Sequence, residues 1–336
     1  MKAWQITEFT GPSGLRLVDV PEPKPQAGEV LVRIRAVSLN YRDLTATRKE
    51  RPGNLPAPFT VCSDGAGEIA ALGDSVDGWK VGERVMPTFF QNWVSGSITR
   101  GVMKSALGGA LPGVLAEYAV VRAEGLMRVP EYLSLEEAAT LPCAGLTAWH
   151  ALVSKGQLQA GQTVLCLGTG GVSIFALQIA KAHGARAIIT SSSDEKLARA
   201  QALGADETIN YKTTLAWERK VFELTNKHGA DHVIEVGGAG TLQQSLEAVC
   251  YGGRVSLIGV LSGFEGMVNP WPIVARSVAV QGIYVGSREM FEAMNVFLAT
   301  KQLKPVVDKV FEFGDAPAAF DQMASAAHFG KIVVRV

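Results

Sequence analysis

The segment at residues 163–180 constrains the fold of this 336-residue chain more than any other part of it. A short apolar strand at 163–167 runs into the turn Gly-Thr-Gly-Gly-Val-Ser, after which apolar residues recur at helical spacing. Glycines let a ligand approach the backbone closely, and the positive end of the following helix attracts phosphate. The segment therefore predicts a dinucleotide-binding βαβ unit, with Ser173 where a third glycine would usually stand. The alternative is an ordinary strand–helix turn that contains glycine.

From Ser134 onwards, apolar strand-like segments alternate with helical patterns. The Ser-Leu-Glu-Glu spacing at 134–137 predicts a capped helix start, and Pro142 interrupts that helix. Strands are predicted at 164–167, 187–190, 207–210, 232–236, 255–259 and 278–284, with helices between them at 172–183, 194–203, 214–227 and 241–250. This alternation predicts an α/β fold, a doubly wound Rossmann domain with a six-stranded parallel sheet. The last crossover, 260–277, is predicted to be non-helical.

Three segments make up the predicted domain organisation. Residues 1–125 form a mostly-β domain, because short apolar runs alternate there with glycine and proline clusters. Residues 126–286 form the Rossmann domain. Residues 287–336, with a helix at 289–300 and a strand at 331–335, return to the first domain. The long glycine-containing segment between 87 and 113 could border a substrate pocket.

Charge and cysteine content exclude several classes of function. The 32 basic and 32 acidic residues balance, so no basic excess indicates binding to nucleic acid or to an anionic membrane. No apolar run approaches the roughly 18 residues of a membrane span, and the first residues do not resemble a signal peptide. The four cysteines lack CxxC spacing, which favours reduced thiols. A soluble cytoplasmic protein is expected.

Several short motifs resemble, in order and spacing, those of the zinc-independent branch of the medium-chain dehydrogenase/reductase superfamily, which includes quinone and enone reductases. Besides the glycine turn, they are Asn-Tyr-Arg-Asp at 40–43, Asp-Gly-Ala-Gly-Glu at 64–68, Gly-Glu-Arg-Val at 82–85, Leu-Pro-Cys-Ala-Gly-Leu-Thr-Ala at 141–148, Leu-Gly-Ala-Asp at 203–206, Val-Gly-Gly at 236–238 and Leu-Ile-Gly at 257–259. The resemblance implies a GroES-like catalytic domain, a Rossmann cofactor domain, and a homodimer in which the strand at 278–284 pairs with its symmetry mate.

The resemblance also locates the positions at which zinc-dependent members hold their catalytic ion. Asn40 stands at the position of the first cysteine, Ser63 at that of the histidine, and Cys143 alone matches. One thiol does not hold zinc, which needs three protein ligands and an open position. We therefore expect no metal, and a carbonyl polarised by hydrogen-bond donors.

Tyr41, Asn40 and Arg42 are the predicted catalytic donors, because they lie near the position of the missing ion. Tyr41 could donate to the carbonyl oxygen as hydride reaches the conjugated carbon, with Asn40 as a neutral helper. Alternatively, Tyr41 is a half-buried aromatic whose hydroxyl is satisfied locally, and Arg42 pairs with Asp43 or Asp64. His150 lies in a helical stretch beside Trp149 and is assigned a structural role.

The end of the second Rossmann strand indicates which nicotinamide binds. NAD-preferring sites place a carboxylate there to accept from the ribose, whereas this strand ends in Ser191 and Ser192. Hydroxyls donate to a 2′-phosphate, and Lys196 adds a positive charge, so NADP (NADPH) is favoured while NAD stays possible, notably through Asp194. The alternative assigns Ser192 and Glu195 to a capping box. The full set of predicted cofactor contacts is Thr147, Gly168, Thr169, Gly170, Gly171, Val172, Ser191, Ser192, Lys196, Tyr211, Val236, Gly237, Gly259 and Val285.

Together these features predict a zinc-free, NADPH-dependent oxidoreductase that transfers hydride to an enone or a quinone. One alternative is a metal-independent alcohol or aldehyde dehydrogenase, and another is a nucleotide-binding sensor without catalysis. The expected substrate is a small apolar or aromatic carbonyl compound. Five aromatic residues suggest this, although each could equally belong to the core: Phe89, Phe90, Trp93, Phe264 and Trp271.

Overall fold

The computed structural model describes residues 1–48, 53–263 and 265–336 and divides the chain into two compact units. Met1–Leu146 and Val285–Val336 form the first unit, and Thr147–Tyr284 forms the second. The predicted domain boundaries, after residues 125 and 286, differ from the observed boundaries, after residues 146 and 284. No helix in the described part of the chain has the length and apolar character needed to cross a membrane.

The first unit is built mainly from antiparallel strands. Its elements before the second unit are β1 (Lys2–Ile6), β2 (Leu15–Asp19), β3 (Glu29–Ser38), α1 (Tyr41–Ala46), β4 (Phe59–Thr60), β5 (Asp64–Leu72), β6 (Arg84–Pro87), α2 (Arg100–Met103), β7 (Tyr118–Arg122), β8 (Leu126–Arg128) and α3 (Leu135–Ala138). The short helix α4 (Leu146–Trp149) spans the boundary between the two units. Strands β2, β1 and β4 make a small sheet, and the larger sheet has seven strands. Apolar side chains from the two sheets and from α1 share one buried core, which includes Ile34, Leu44 and Phe59.

The second unit contains the predicted parallel sheet. Its elements are β9 (Thr163–Cys166), α5 (Gly171–Ala182), β10 (Arg186–Ser191), α6 (Asp194–Ala202), β11 (Glu207–Asn210), α7 (Trp217–Leu224), β12 (Ala230–Glu235), α8 (Leu242–Ala248), β13 (Val249–Leu257), α9 (Trp271–Ala275) and β14 (Ala279–Gly282). All strand pairs are parallel, in the order β11-β10-β9-β12-β13-β14. The doubly wound six-stranded fold is confirmed.

After the second unit the chain returns to the first. This segment contains α10 (Arg288–Lys301), β15 (Val307–Glu312), α11 (Ala316–Ala324) and β16 (Lys331–Arg335). β16 pairs antiparallel with β3 and parallel with β15, which places it inside the seven-stranded sheet. The predicted helix and strand of the C-terminal segment therefore exist and belong to the first unit.

The helical stretch that begins at Ser134 explains the later first boundary. Ser134 and Glu137 cap each other as predicted: Glu137 N donates to Ser134 Oγ over 3.1 Å, and Ser134 N donates to Glu137 Oε2 over 2.8 Å. α3 ends before Pro142, and π-helical turns follow at Leu141–Gly145 and His150–Ser154. α3 packs against β3 and β5, so the stretch as far as residue 146 belongs to the first unit.

Two local predictions were wrong. The crossover at 260–277 was predicted to be non-helical, but α9 forms there because Pro272 fits the first turn of a helix. The last strand was predicted at 278–284, but β14 ends at Gly282, and Val285 adopts a left-handed backbone with φ of 51°.

Candidate functional site

The predicted cofactor residues gather at one edge of the parallel sheet. The carboxyl ends of adjacent parallel strands share an edge, and ligands of such sheets bind beyond it, where the strand order reverses. In this sheet the reversal lies between β9 and β12. Twelve of the predicted contacts lie at the carboxyl ends of β9 to β13, in the loops that follow them, or in the first turns of α5 and α6: Gly168, Thr169, Gly170, Gly171, Val172, Ser191, Ser192, Lys196, Tyr211, Val236, Gly237 and Gly259. The other two, Thr147 and Val285, lie in α4 and before α10.

The glycine turn leaves room for a phosphate group. Gly168 has φ of 74°, which favours glycine, and no atom lies within 4 Å of the position that a Cβ would occupy on Gly168 or on Gly170. Gly170 caps α5, whose first backbone N–H groups are free of helical partners by geometry. This open cradle at a helix N-terminus fits a pyrophosphate.

Ser173 does not obstruct this cradle. Its side chain is buried, and its hydroxyl donates to the carbonyl oxygen of Leu167 over 2.6 Å. The serine therefore links the start of α5 to the end of β9. A third glycine at this position would permit the same close packing of helix against strand.

The end of β10 carries hydroxyls and no free carboxylate among the described side chains. Ser191 is the last residue of the strand, and Ser193 caps α6 by accepting from Lys196 N over 3.3 Å. The predicted alternative, a capping box of Ser192 and Glu195, is therefore wrong. Asp194, the acidic group considered for a ribose contact, accepts a hydrogen bond from Asn210 Nδ2 over 2.7 Å.

Glu235, at the end of β12, organises the next loop and was not anticipated. It is fully buried, and its Oε1 accepts from Gly237 N over 2.7 Å and from Gly238 N over 3.0 Å. Thr241 Oγ1 also donates to Oε1, and Ser245 Oγ donates to Oε2. An acidic residue that ends an apolar strand just before two glycines was the available sequence signal.

The predicted catalytic residues lie in the first unit, around a buried polar cluster. Asn40 immediately precedes α1, and its backbone N donates to Asp43 Oδ2 over 2.8 Å. Asp64, at the start of β5, accepts from Ser63 Oγ over 2.7 Å and from Cys143 N over 2.9 Å. All the side chains that form these bonds are buried, so the cluster is a fixed part of the fold.

Lys331 is the unexpected member of this cluster. It opens β16, is almost fully buried, and donates from Nζ to Leu39 O and to Asn40 Oδ1, both over 2.6 Å. Because an ammonium group can only donate, this contact fixes which end of the Asn40 amide is the oxygen. Asn40 Nδ2 is buried and has no hydrogen-bond partner among the described residues, although the amide is close enough to Asp64 to lower its pKa.

Burial governs the ionisation of the cluster. It raises the pKa of Asp43 to about 6, against the opposing charge of Arg42. It also raises the pKa of Asp64, while the Lys331 charge, the hydrogen bond from Ser63 and the nearby Asn40 amide oppose the shift. Burial also raises the pKa of the Cys143 thiol, so this thiol is neutral near pH 7.

Tyr41 and Arg42 differ in how their polar groups are used. Arg42 donates to Leu107 O over 2.9 Å and to Gly108 O over 3.2 Å, pairs with Asp43, and lies over the Phe89 ring. These contacts favour the structural role considered for Arg42. Tyr41 is 39% exposed, and its hydroxyl makes no hydrogen bond to a described residue.

The side chains around Asn40 do not make a metal centre. Among the described residues, three histidine, cysteine or acidic side chains converge in one place only, and that place is in the second unit. Asn40 and Ser63 offer neither a thiolate nor an imidazole, so Cys143 is the one zinc-ligating side chain among these three positions. Zinc coordination of the kind used by zinc-dependent members does not fit this donor set.

The aromatic residues proposed to border a substrate pocket belong mostly to the core. Phe89, Phe90 and Trp93 are buried and pack edge to face, with ring centroids 4.7 Å and 5.7 Å apart. Trp271 lies exposed on α9, and Phe264 lies outside the described residues. His150, buried in its π-helical turn, was correctly placed within a helical stretch.

Two family models match the chain: the alcohol dehydrogenase GroES-like domain at residues 26–131, and the zinc-binding dehydrogenase at residues 171–300. A zinc-type alcohol dehydrogenase-like protein of Schizosaccharomyces pombe is 45% identical over 324 residues, which cover 95% of this chain and 93% of that protein. The chain belongs to the medium-chain dehydrogenase/reductase superfamily. It is an oxidoreductase of a nucleotide-binding family, as the motifs predicted.

Solved structures and a second relative show the breadth of this superfamily. A Sinorhizobium meliloti protein assigned as an alcohol dehydrogenase has a TM-score of 0.93 at 44% identity, covering 100% of this chain and 98% of its own. An NAD-dependent alcohol dehydrogenase has a TM-score of 0.91 at 35% sequence identity. A mycobacterial protein complexed with NADPH has a TM-score of 0.84 at 27% sequence identity, and both comparisons cover 100% of each chain. The quinone oxidoreductase of Mus musculus is 29% identical over 345 residues, 99% of this chain and 97% of its own.

Proposed function

We propose that the protein is an NADPH-dependent reductase of activated carbon–carbon double bonds or quinones that works without a catalytic metal. The observation that carries this proposal is the buried Asn40 amide, whose Nδ2 is left as a donor because Lys331 holds Oδ1. A hydrogen-bond donor thus stands where zinc-dependent members have a ligand. Donors of this kind stabilise negative charge on a carbonyl oxygen.

Asn40 and Tyr41 share the chemical work in this proposal. NADPH, when bound, supplies the hydride, and the carbonyl oxygen of the acceptor then gains negative charge. Asn40 Nδ2 donates to that oxygen from a buried position, and the nearby Lys331 charge strengthens the donation. The Tyr41 hydroxyl, which is partly exposed, donates a second hydrogen bond and connects the oxygen to solvent. Solvent supplies the proton that completes the reduction.

The preference for NADPH rests on the loop after β10. Ser191, Ser192 and Lys196 offer donors and a positive charge to a 2′-phosphate, whereas Asp194 is engaged by Asn210. Relatives of known structure include an NADPH complex and an NAD-dependent enzyme, so relatedness alone supports either cofactor. The named similarity to alcohol dehydrogenases makes a metal-independent alcohol or aldehyde dehydrogenase the second candidate.

Cofactor turnover by the purified full chain tests this proposal. The absorbance of the reduced nicotinamide is followed with enones, quinones and aldehydes, and in the reverse direction with alcohols and oxidised cofactor. We expect enones or quinones to consume NADPH, and Asn40→Ala to lower kcat by about 100-fold. Asn92→Ala, at an exposed amide of the same unit, is the control and should change kcat little.

The possible outcomes separate the candidates. Faster turnover of alcohols than of enones or quinones would identify the second candidate. Tight nucleotide binding with no turnover of any compound would identify a nucleotide sensor. Unchanged kcat in Asn40→Ala, with enone or quinone turnover intact, would remove Asn40 from the mechanism.

A further inference from the structure

Three metal-ligating side chains converge at the amino edge of the parallel sheet, opposite the glycine turn. His228 lies in the loop before β12, Asp231 is near the start of β12, and Cys250 is near the start of β13. His228 Nε2 lies 3.1 Å from Asp231 Oδ1, and Cys250 Sγ lies 3.7 Å from the same oxygen. All three ligand atoms lie within 4.8 Å of one another.

The two separations from Asp231 Oδ1 are close to those between ligands around a tetrahedral ion. With zinc–ligand bonds of about 2.0 Å to nitrogen or oxygen and 2.3 Å to sulfur, a tetrahedron separates nitrogen from oxygen by roughly 3.3 Å and sulfur from oxygen by roughly 3.5 Å. The observed distances of 3.1 Å and 3.7 Å lie close to both values. An ion could therefore enter with small side-chain adjustments.

The surroundings orient the central ligand. Asp231 Oδ2 accepts from the backbone N of Thr163, at the start of β9, over 2.7 Å, which leaves Oδ1 for the other two side chains. Metal-ligating carboxylates are commonly held by such a second hydrogen bond.

Burial differs across the cluster in a way that suits an ion. Cys250 is buried, whereas the His228 side chain is 59% exposed, so solvent can reach the site and supply a fourth ligand. Burial raises the pKa of Cys250 to about 11. Because the ligand is the thiolate, binding of the ion displaces this proton to solvent as the sulfur–metal bond forms.

From this geometry we propose that His228, Asp231 and Cys250 form a zinc site that clamps the starts of β12 and β13. One sulfur, one imidazole nitrogen and one carboxylate oxygen suit Zn²⁺, and they do not suit Mg²⁺ or Ca²⁺, which take oxygen ligands. The site lies at the opposite sheet edge from the predicted cofactor loops. It therefore stabilises the sheet and takes no part in hydride transfer.

Metal titration of the chelator-stripped full chain tests this site. We expect one Zn²⁺ per chain with micromolar or tighter affinity, and a thiolate-to-metal charge-transfer band when Co²⁺ is the probe. Cys250→Ser should abolish the band, and His228→Gln should weaken Zn²⁺ binding at least tenfold. His228→Gln keeps the test valid if Cys250→Ser folds poorly, because His228 is exposed and its replacement should not disturb the fold. Cys166→Ser, at a buried thiol of β9 whose pKa is raised by burial alone, should retain the band.

Three results would overturn the site: binding only at millimolar Zn²⁺, no charge-transfer band with Co²⁺, or unchanged affinity in His228→Gln. Loss of the ion in Cys143→Ser instead would place it in the first unit, which also overturns the site. Because every readout is metal binding, failure here is independent of whether the proposed reductase activity is found.

Discussion

At the scale of single residues, the candidate site depends on a contact that no sequence pattern predicts. Lys331 and Asn40 are 291 positions apart, yet the ammonium group of one fixes the amide orientation of the other. Lys331 is therefore a positioning residue in the proposed mechanism, since it acts on the substrate through Asn40.

We expect Lys331→Met to lower kcat by about 10- to 100-fold while leaving the Kd for NADPH unchanged, because Asn40 Nδ2 loses its fixed direction. The variant also leaves Leu39 O and Asn40 Oδ1 without a donor, which costs about 1–3 kcal/mol of stability. Thermal unfolding and steady-state kinetics measure the two effects separately. Lys104→Met, at an exposed lysine of the same unit, is the control.

A double-mutant cycle distinguishes positioning from simple destabilisation. If Lys331 acts through Asn40, then Lys331→Met should change kcat far less in an Asn40→Ala background than in the unmutated protein. Additive losses would contradict the positioning role and leave Lys331 as a purely structural residue.

Sequence spacing found Asn40, Tyr41 and Arg42, but it could not rank them. The distinction came from partners far along the chain: carbonyls at 107 and 108 engage Arg42, and Lys331 engages Asn40. Local motifs report which residue types occur together, whereas hydrogen-bond use is decided by long-range packing. For the same reason the sequence could not decide whether Phe89 and Phe90 line a pocket or belong to the core, where both are buried.

A second residue-scale prediction concerns catalytic metal. In the proposed metal-free mechanism, Asn40 and Ser63 stand at two ligand positions of zinc-dependent members, so we expect activity to survive prolonged chelation unchanged. The experiment is best done with Cys250→Ser, which removes the inferred zinc site and makes the metal content easy to interpret. Loss of activity with the chelator, restored by Zn²⁺ alone, would contradict a metal-free mechanism.

At the scale of elements, periodicity predicted the parallel sheet well. The strand and helix alternation gave every strand from β9 to β14, because buried parallel strands are continuous apolar runs. The predicted ends of strands and helices were less accurate where a glycine or proline lies inside an element instead of ending it. β13 begins at Val249 rather than at 255, since Gly252 and Gly253 lie within the strand instead of ending it.

The cofactor loop gives an element-scale prediction. Lys196→Ala should shrink the difference in affinity between NADPH and NADH by one to two decades, because a charge-assisted contact with phosphate contributes about 1.5–3 kcal/mol. Lys220→Ala is the matched control, since this lysine pairs with Glu223 on α7. Titration of both cofactors measures the effect. Equal or tighter NADH binding by the unmutated protein would show that the serine-rich loop was misinterpreted.

At the scale of the whole molecule, the chain leaves a sheet edge open. β14 pairs only with β13 in the described structure, and Val280 at its middle is 39% exposed. Ile283 N donates to Leu257 O on β13, so the alternation along the strand directs the Val280 N–H outward. An apolar edge with free donors aggregates unless something covers it. We expect a second copy to pair there, giving a two-fold homodimer with a continuous sheet.

Replacing Val280 with proline tests this pairing selectively. Proline removes the outward donor but leaves the inward hydrogen bonds of β14 to β13, so the fold should persist while the dimer is lost. We expect monomer or aggregate by sedimentation velocity, and weaker NADPH binding, because the loop that contains Val285 follows directly from the strand. Val280→Thr keeps the donor and the β-branched shape and should remain dimeric. An unmutated protein that sediments as a fully active monomer at micromolar concentration would refute the pairing.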